Sequence, residues 1–175
     1  MAVKQARMRH QSNGGKKAER EMDAIAQAVR REVRALSRVR HPNVLRLYGA
    51  CFDPSPMVVM AYAPSGTLQD AVDNGHFDGI TAIARLLAGV ARGLEAVHAH
   101  KIIHLDMKPE NVLIGPNSVP WITDFGLSTS ANMTSMSMSS AGGRGTLPFK
   151  APELFSYPPV VSQAWPARTA PSCPM

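Results

Sequence analysis

The sequence predicts an α+β chain in which a small sheet-rich lobe precedes a helical lobe. Three observations predict it. Short strand-like runs in the first third flank one amphipathic helix, a second long helix follows, and two short strands come after that. The 175 residues are enough for one domain with a real core.

Residues 1–5 are short and apolar and read as a strand, although only Val3 is a strong strand former. Ser12, Asn13, Gly14 and Gly15 make a flexible loop. From 16 to 40 the pattern turns helical. Met22, Ile25, Val29, Val33, Leu36 and Val39 recur at three- and four-residue steps, with charges on the other face. His41-Pro42-Asn43 stops this helix, because the residue before proline is pushed out of helical space. Residues 44–51 and 57–62 read as strands joined by the turn Asp53-Pro54-Ser55-Pro56. Thr67 can cap a short helix over 68–72. Residues 78–100 form a second long helix, with Ile80, Ile83, Leu87, Val90, Leu94 and Val97 as its expected buried stripe. Short strands at 112–114 and 121–123 flank Gly115-Pro116-Asn117. Residues 132–145, rich in Ser, Met and Gly, can bury little and read as a mobile loop.

The net charge is +6, and up to Arg46 twelve Lys or Arg stand against four Asp or Glu. No aromatic residues interleave with these basic ones, so they read as a solvated helix face and no nucleic-acid partner is expected. No apolar run approaches the roughly 20 residues that span a bilayer, so no membrane partner is expected either. Residues 1–10 have no apolar stretch behind their basic groups, so no secretory signal is read there. Cys51 and Cys173 show neither metal spacing nor a disulfide framework, which fits a reducing compartment, with the cytoplasm as the default placement.

The strongest chemical signal is His104-Leu105-Asp106-Met107-Lys108-Pro109-Glu110-Asn111, with Asp124-Phe125-Gly126 starting thirteen residues after Asn111. Two carboxylates, an amide and an ammonium thus fall in loops at the ends of short strands. Carboxylate and amide oxygens are hard ligands suited to Mg²⁺, and a lysine among them suits a phosphate. Either Asp alone could be a turn residue, but the ordered pair of motifs is far too specific for chance.

On these residues the chain resembles the catalytic domain of eukaryotic protein kinases. The resemblance implies a two-lobed kinase fold, ATP and Mg²⁺ as cofactors, and a protein substrate with a Ser or Thr hydroxyl. Asp106 falls where the family's catalytic base stands, and Asn111 and Asp124 fall where it holds metal. Lys108 matches the serine/threonine branch, where it steadies the transferring phosphate. Thr146, after Gly145, matches the threonine that bonds the catalytic Asp and Lys. Met1-Ala2-Val3-Lys4 resembles the strand whose lysine grips the ATP phosphates. Counting nine residues back from His41 makes Glu32 the partner of Lys4. Ser12 to Lys17 then reads as an insertion. Met60 takes the gatekeeper position, Ala61 and Ala63 offer backbone groups to adenine, and Ala2 and Leu113 complete the nucleotide-binding set. Leu36, Leu47, His104 and Phe125 match the family's interlobe spine. Gly-Thr-Leu-Pro-Phe-Lys-Ala-Pro-Glu over 145–153 and Leu-Tyr-Gly-Ala-Cys over 47–51 resemble the tyrosine-kinase-like group of serine/threonine kinases.

The resemblance covers 1–157, read as a partial kinase domain. Residues 158–175 are a Pro-rich tail that resembles a frameshifted or truncated gene model. No Gly-rich phosphate loop precedes Lys4, and the family's later helices do not follow. The expected fold is therefore incomplete at both ends, and the fragment alone is expected to be inactive. Leu105 replaces the arginine that usually meets an activation-loop phosphate, which leaves loop phosphorylation less to grip. Two other readings stay open: a pseudokinase or interaction module, and a non-functional gene-model fragment. Nothing in the sequence sets an oligomeric state.

Overall fold

The computed structural model of the protein describes residues 1–5, 16–53, 55–77, 79–130 and 145–151. The expected loop at 12–15, most of the Ser/Met/Gly-rich segment, Pro152, Glu153 and the tail from 158 lie outside these residues, as does the side chain of Met22.

The chain runs β1 (Ala2–Gln5), α1 (Lys16–Arg38), β2 (Leu47–Cys51), β3 (Met57–Met60), α2 (Leu68–Asp73), α3 (Gly79–Ala99), β4 (Ile102–Ile103), β5 (Val112–Ile114), β6 (Pro120–Ile122) and β7 (Thr129–Ser130). β3 lies between β1 and β2 in an antiparallel sheet, where Ala2 faces Met60 and Lys4 faces Val58. β5 pairs with β6, and β4 with β7, in two small ribbons. Thr67 caps α2 with a reciprocal bond pair, its Oγ1 accepting from the Asp70 N–H and its own N–H donating to Asp70 Oδ2.

One core joins the sheet to the helices. Val29, Ala35, Leu36 and Val39 of α1 and the following segment pack with Leu45, Val58, Val97, Ile122 and Phe125. The segment after α1 does not start β2 at Val44, as its apolar run suggested. Val44 instead bridges in parallel to Ile122, the Leu45 N–H donates to the Ile122 carbonyl at 2.9 Å, and Asn43 Nδ2 donates to the Pro120 carbonyl at 3.1 Å. This stitch ties the end of α1 to β6.

The expected stripe of α1 holds at Val29, Val33, Leu36 and Val39, but Ile25 is exposed and Glu32 and Ala35 are buried beside it. On α3, Ile80 (79% exposed) and Leu87 (54%) face outward, while Leu86, Gly89, Gly93 and Val97 are buried. Close approach is the reason: a Cβ at Gly93 would stand 2.7 Å from the Asn43 carbonyl oxygen and 2.8 Å from Ile122 Cδ1. Bulk was the sequence signal, but the helix packs through its smallest residues.

Candidate active site

Four side chains converge at the loop after β4. Asp106 Oδ1 accepts the Thr146 backbone N–H and the Thr146 hydroxyl, both at 2.8 Å. Lys108 Nζ donates to Thr146 Oγ1 at 2.9 Å and lies 3.4 Å from Asp106 Oδ2. Asn111 Nδ2 donates to the Asp106 carbonyl at 2.7 Å and to Oδ2 at 3.0 Å. Gly145 makes the approach of Thr146 possible. Its φ is +86°, and a Cβ there would meet the Leu105 carbonyl oxygen at 2.5 Å. Leu105, which stands where the family resemblance places arginine, is half-buried with a φ of 69°.

Burial pushes the Asp106 carboxyl up, but the Thr146 hydroxyl and amide, the Lys108 ammonium and the Asn111 amide together outweigh it and hold the carboxyl below its usual range. Asp106 is therefore ionised at neutral pH.

A second group adjoins the first. Glu32 is 2% exposed on α1, and its carboxylate takes both a 2.8 Å and a 3.1 Å bond from Lys4 Nζ, whose side chain is half-exposed. Lys4 Nζ also lies 3.9 Å from Asp124 Oδ1. The two groups are joined through Thr123. Its N–H donates to the Asn111 carbonyl at 3.0 Å, and its carbonyl accepts from His104 Nε2 at 2.8 Å. His104 Nδ1 accepts from the Asp106 N–H at 3.3 Å, so Nε2 carries the hydrogen. Burial lowers the His104 pKa, which keeps the ring neutral in this role. With both peptide groups of Thr123 clamped, the next residue, Asp124, starts from a fixed place. It adopts φ 59°, ψ 64°, a left-handed conformation that Asp tolerates better than most residues. Phe125 is fully buried, with its ring 4.7 Å edge-on from that of His104.

The donors suit Mg²⁺. Asn111 uses its Nδ2 on Asp106, which leaves Oδ1 as the amide atom able to bind a cation, and Asp124 adds a half-exposed carboxylate. Among the described residues there is no cluster of three or more His, Cys, Asp or Glu suited to a metal, so the set depends on the amide oxygen.

The remaining expected residues line the strands. Met60 is buried in the core opposite Ala2, and Leu113 is half-buried opposite Trp121. The Ala61 N–H is engaged by the Arg46 carbonyl at 2.9 Å, so its carbonyl is the group it can offer a base. Ala63 follows, half-buried, two residues on. Leu36, Leu47 and Phe125 all belong to the joint core, and His104 packs on Phe125. A cavity of about 780 Å³ lies elsewhere, at the end of α1 beside Arg40, Arg46, Tyr48 and Trp121. Of the expected catalytic, metal and nucleotide residues only Ala61 lines it, whereas a smaller cavity of about 260 Å³ is lined by His104, Asp106 and Thr146. The sequence reading missed Arg31, whose Nε–H donates to the Gly126 carbonyl at 2.8 Å. Its adjacency to Glu32 was the available signal, hidden in a helix full of arginines.

The family model for the protein kinase domain matches residues 1–164. The chain belongs to the protein kinase domain family. Over 129 residues it is 35% identical to the leaf rust 10 disease-resistance locus receptor-like protein kinase-like 2.2 of Arabidopsis thaliana, covering 71% of this chain and 20% of that protein. Over 139 residues it is 34% identical to the serine/threonine-protein kinase Aurora-2 of the same plant, covering 79% and 48%. It is 36% identical over 140 residues to Aurora kinase A-A of Xenopus laevis, covering 79% and 33%. The chain thus spans less than half the length of each of these kinases. Receptor-like and Aurora kinases match almost equally well, so the comparisons do not separate a tyrosine-kinase-like subgroup. No helix among the described residues is long and apolar enough to cross a membrane.

Proposed function

We propose that this kinase domain transfers the γ-phosphoryl group of ATP to a Ser or Thr hydroxyl of a protein, with Mg²⁺. The observation that carries the reading is the Asp106–Lys108–Thr146–Asn111 cluster, in which an ionised carboxylate is aimed by Thr146 and Asn111 beside the Lys108 ammonium. The P–O bond to the ADP leaving group breaks, a P–O bond to the substrate oxygen forms, and the hydroxyl proton goes to Asp106. Oδ1 already takes two short bonds from Thr146, so Oδ2 is the oxygen that receives the proton. A carboxylate held below its usual pKa is a weak base, so Asp106 acts mainly by orienting the hydroxyl. That suffices for a loose transition state in which the nucleophile needs little activation.

Lys108 stands beside the same oxygen, where its charge meets the transferring phosphate. Lys4, fixed by Glu32, holds the other phosphates, and the Ala61 carbonyl with the Ala63 backbone meets adenine. Asn111 and Asp124 would hold Mg²⁺, which when bound neutralises charge on the phosphate oxygens.

Asp106→Asn, made in the full-length kinase domain, tests the reading. Turnover in a phosphate-transfer assay should fall at least 100-fold, in line with the usual contribution of a positioned acid or base, about 10²–10⁴-fold, with nucleotide affinity little changed. A variant that keeps its turnover refutes the role of Asp106. A full-length wild-type domain that binds nucleotide yet transfers nothing favours a binding module.

A further inference from the structure

We infer that Arg31 is a positioning residue for Asp124, its guanidinium holding the Gly126 carbonyl so that the Asp124 turn keeps its metal-facing conformation. This rests on the proposed metal role of Asp124. The turn needs such a hold. Asp124 sits at φ 59°, which a non-glycine residue adopts only under constraint. The single turn Phe125–Leu127 that follows is closed by one local bond, from the Ser128 N–H to the Phe125 carbonyl at 3.0 Å.

Three neighbours on one face of α1 meet this region. Ala28, Arg31 and Glu32 are spaced i, i+3, i+4, which places them side by side. Ala28 is small enough for Gly126 to lie against it, 3.7 Å from where a Cβ would stand. Arg31 Nε–H donates to the Gly126 carbonyl at 2.8 Å, across 95 residues of sequence. Glu32 grips Lys4. Gly126 is buried, so its carbonyl cannot exchange Arg31 for bulk water without cost. One helix face therefore fixes two things at once, the phosphate-side lysine through Glu32 and the metal-side turn through Arg31. Loss of a hydrogen bond to a charged group shifts such a balance about 10- to 100-fold.

Arg31→Met keeps the apolar stem and removes the donors, whereas Arg31→Lys keeps the charge and one donor nitrogen. The full chain is titrated with a fluorescent ATP analogue at varied Mg²⁺ and with EDTA, and amide hydrogen exchange is followed without ligand. For Arg31→Met the Mg²⁺ concentration at half-saturation should rise about tenfold, while metal-free nucleotide affinity stays put. The Ser128 amide should exchange faster, α1 amides should not, and Arg31→Lys should fall between. Wild-type behaviour of Arg31→Met overturns the inference. So does an equal loss of binding with and without Mg²⁺, or faster exchange throughout α1, because either marks a merely structural arginine. If wild-type nucleotide binding itself ignores Mg²⁺, the metal reading of Asp124 fails and the inference falls with it, whatever the exchange data show.

Discussion

Removing Lys4 should cost more stability than removing the charge of its partner Glu32. Glu32 is 2% exposed, whereas the Lys4 side chain is 50% exposed. Lys4→Met leaves a buried carboxylate with no counter-charge and no donor in place of its 2.8 and 3.1 Å bonds. Breaking a buried pair in this way costs roughly 3–5 kcal/mol, and water reaching the lysine side favours the lower end, about 3 kcal/mol. Glu32→Gln instead leaves a lysine that water can solvate and an amide oxygen that can still accept, a loss of about 1 kcal/mol. In a chain of this size 1 kcal/mol moves Tm by about 2–4 °C, so Lys4→Met should melt about 6–12 °C lower and Glu32→Gln about 2–4 °C lower. The double variant buries no charge and should melt near Glu32→Gln, above Lys4→Met. Thermal unfolding of the full chain, followed by circular dichroism without nucleotide, reads all three. Equal losses in the single variants, or additive losses in the double, would refute the claim that the buried carboxylate sets the cost.

Gly93→Ala should destabilise by about 1–3 kcal/mol, because its Cβ meets the Asn43 carbonyl and Ile122; Gly75→Ala, where nothing lies within 4 Å but φ is +65°, reports the cost of backbone strain alone. Burial holds His104 below the ordinary histidine value, against the Thr123 carbonyl and the Asp124 and Asp106 carboxylates, which pull the other way. The folded state then binds fewer protons than the unfolded one. This contribution is full above about pH 6.5 and is lost as pH falls toward the lowered value. Tm should therefore drop on acidification from about pH 7.5 to 5.5, and His104→Gln should shrink the drop; an undiminished drop would assign it to other groups, such as His98.

Much of the site was legible because its signals are local. His104 to Asn111 lie within one loop, and a short peptide can aim few ways once Pro109 and the β5 pairing fix its ends. Glu32 was found by counting from His41, since a helix spaces its residues evenly. The buried face of α3 was misread in part, at Ile80 and Leu87, for the opposite reason. Periodicity gives a helix its stripe, but the neighbours decide which stripe turns inward, and here they select Gly89 and Gly93 over Ile80 and Leu87.

The sequence by itself determined the residue types that the proposed phosphoryl transfer would use, their order along the chain and the helices and short strands that carry them. Those follow from spacing and local propensity. That Lys4 meets Glu32 and Thr146 reaches Asp106 was expected through the family resemblance alone, and only the tertiary structure decided that Arg31 holds Gly126. These contacts join residues 28, 40 and 95 positions apart, and no local preference encodes them. They arise because one core around Val58, Ile122 and Phe125 excludes water and leaves the sheet, α1 and the catalytic loop a single way to pack.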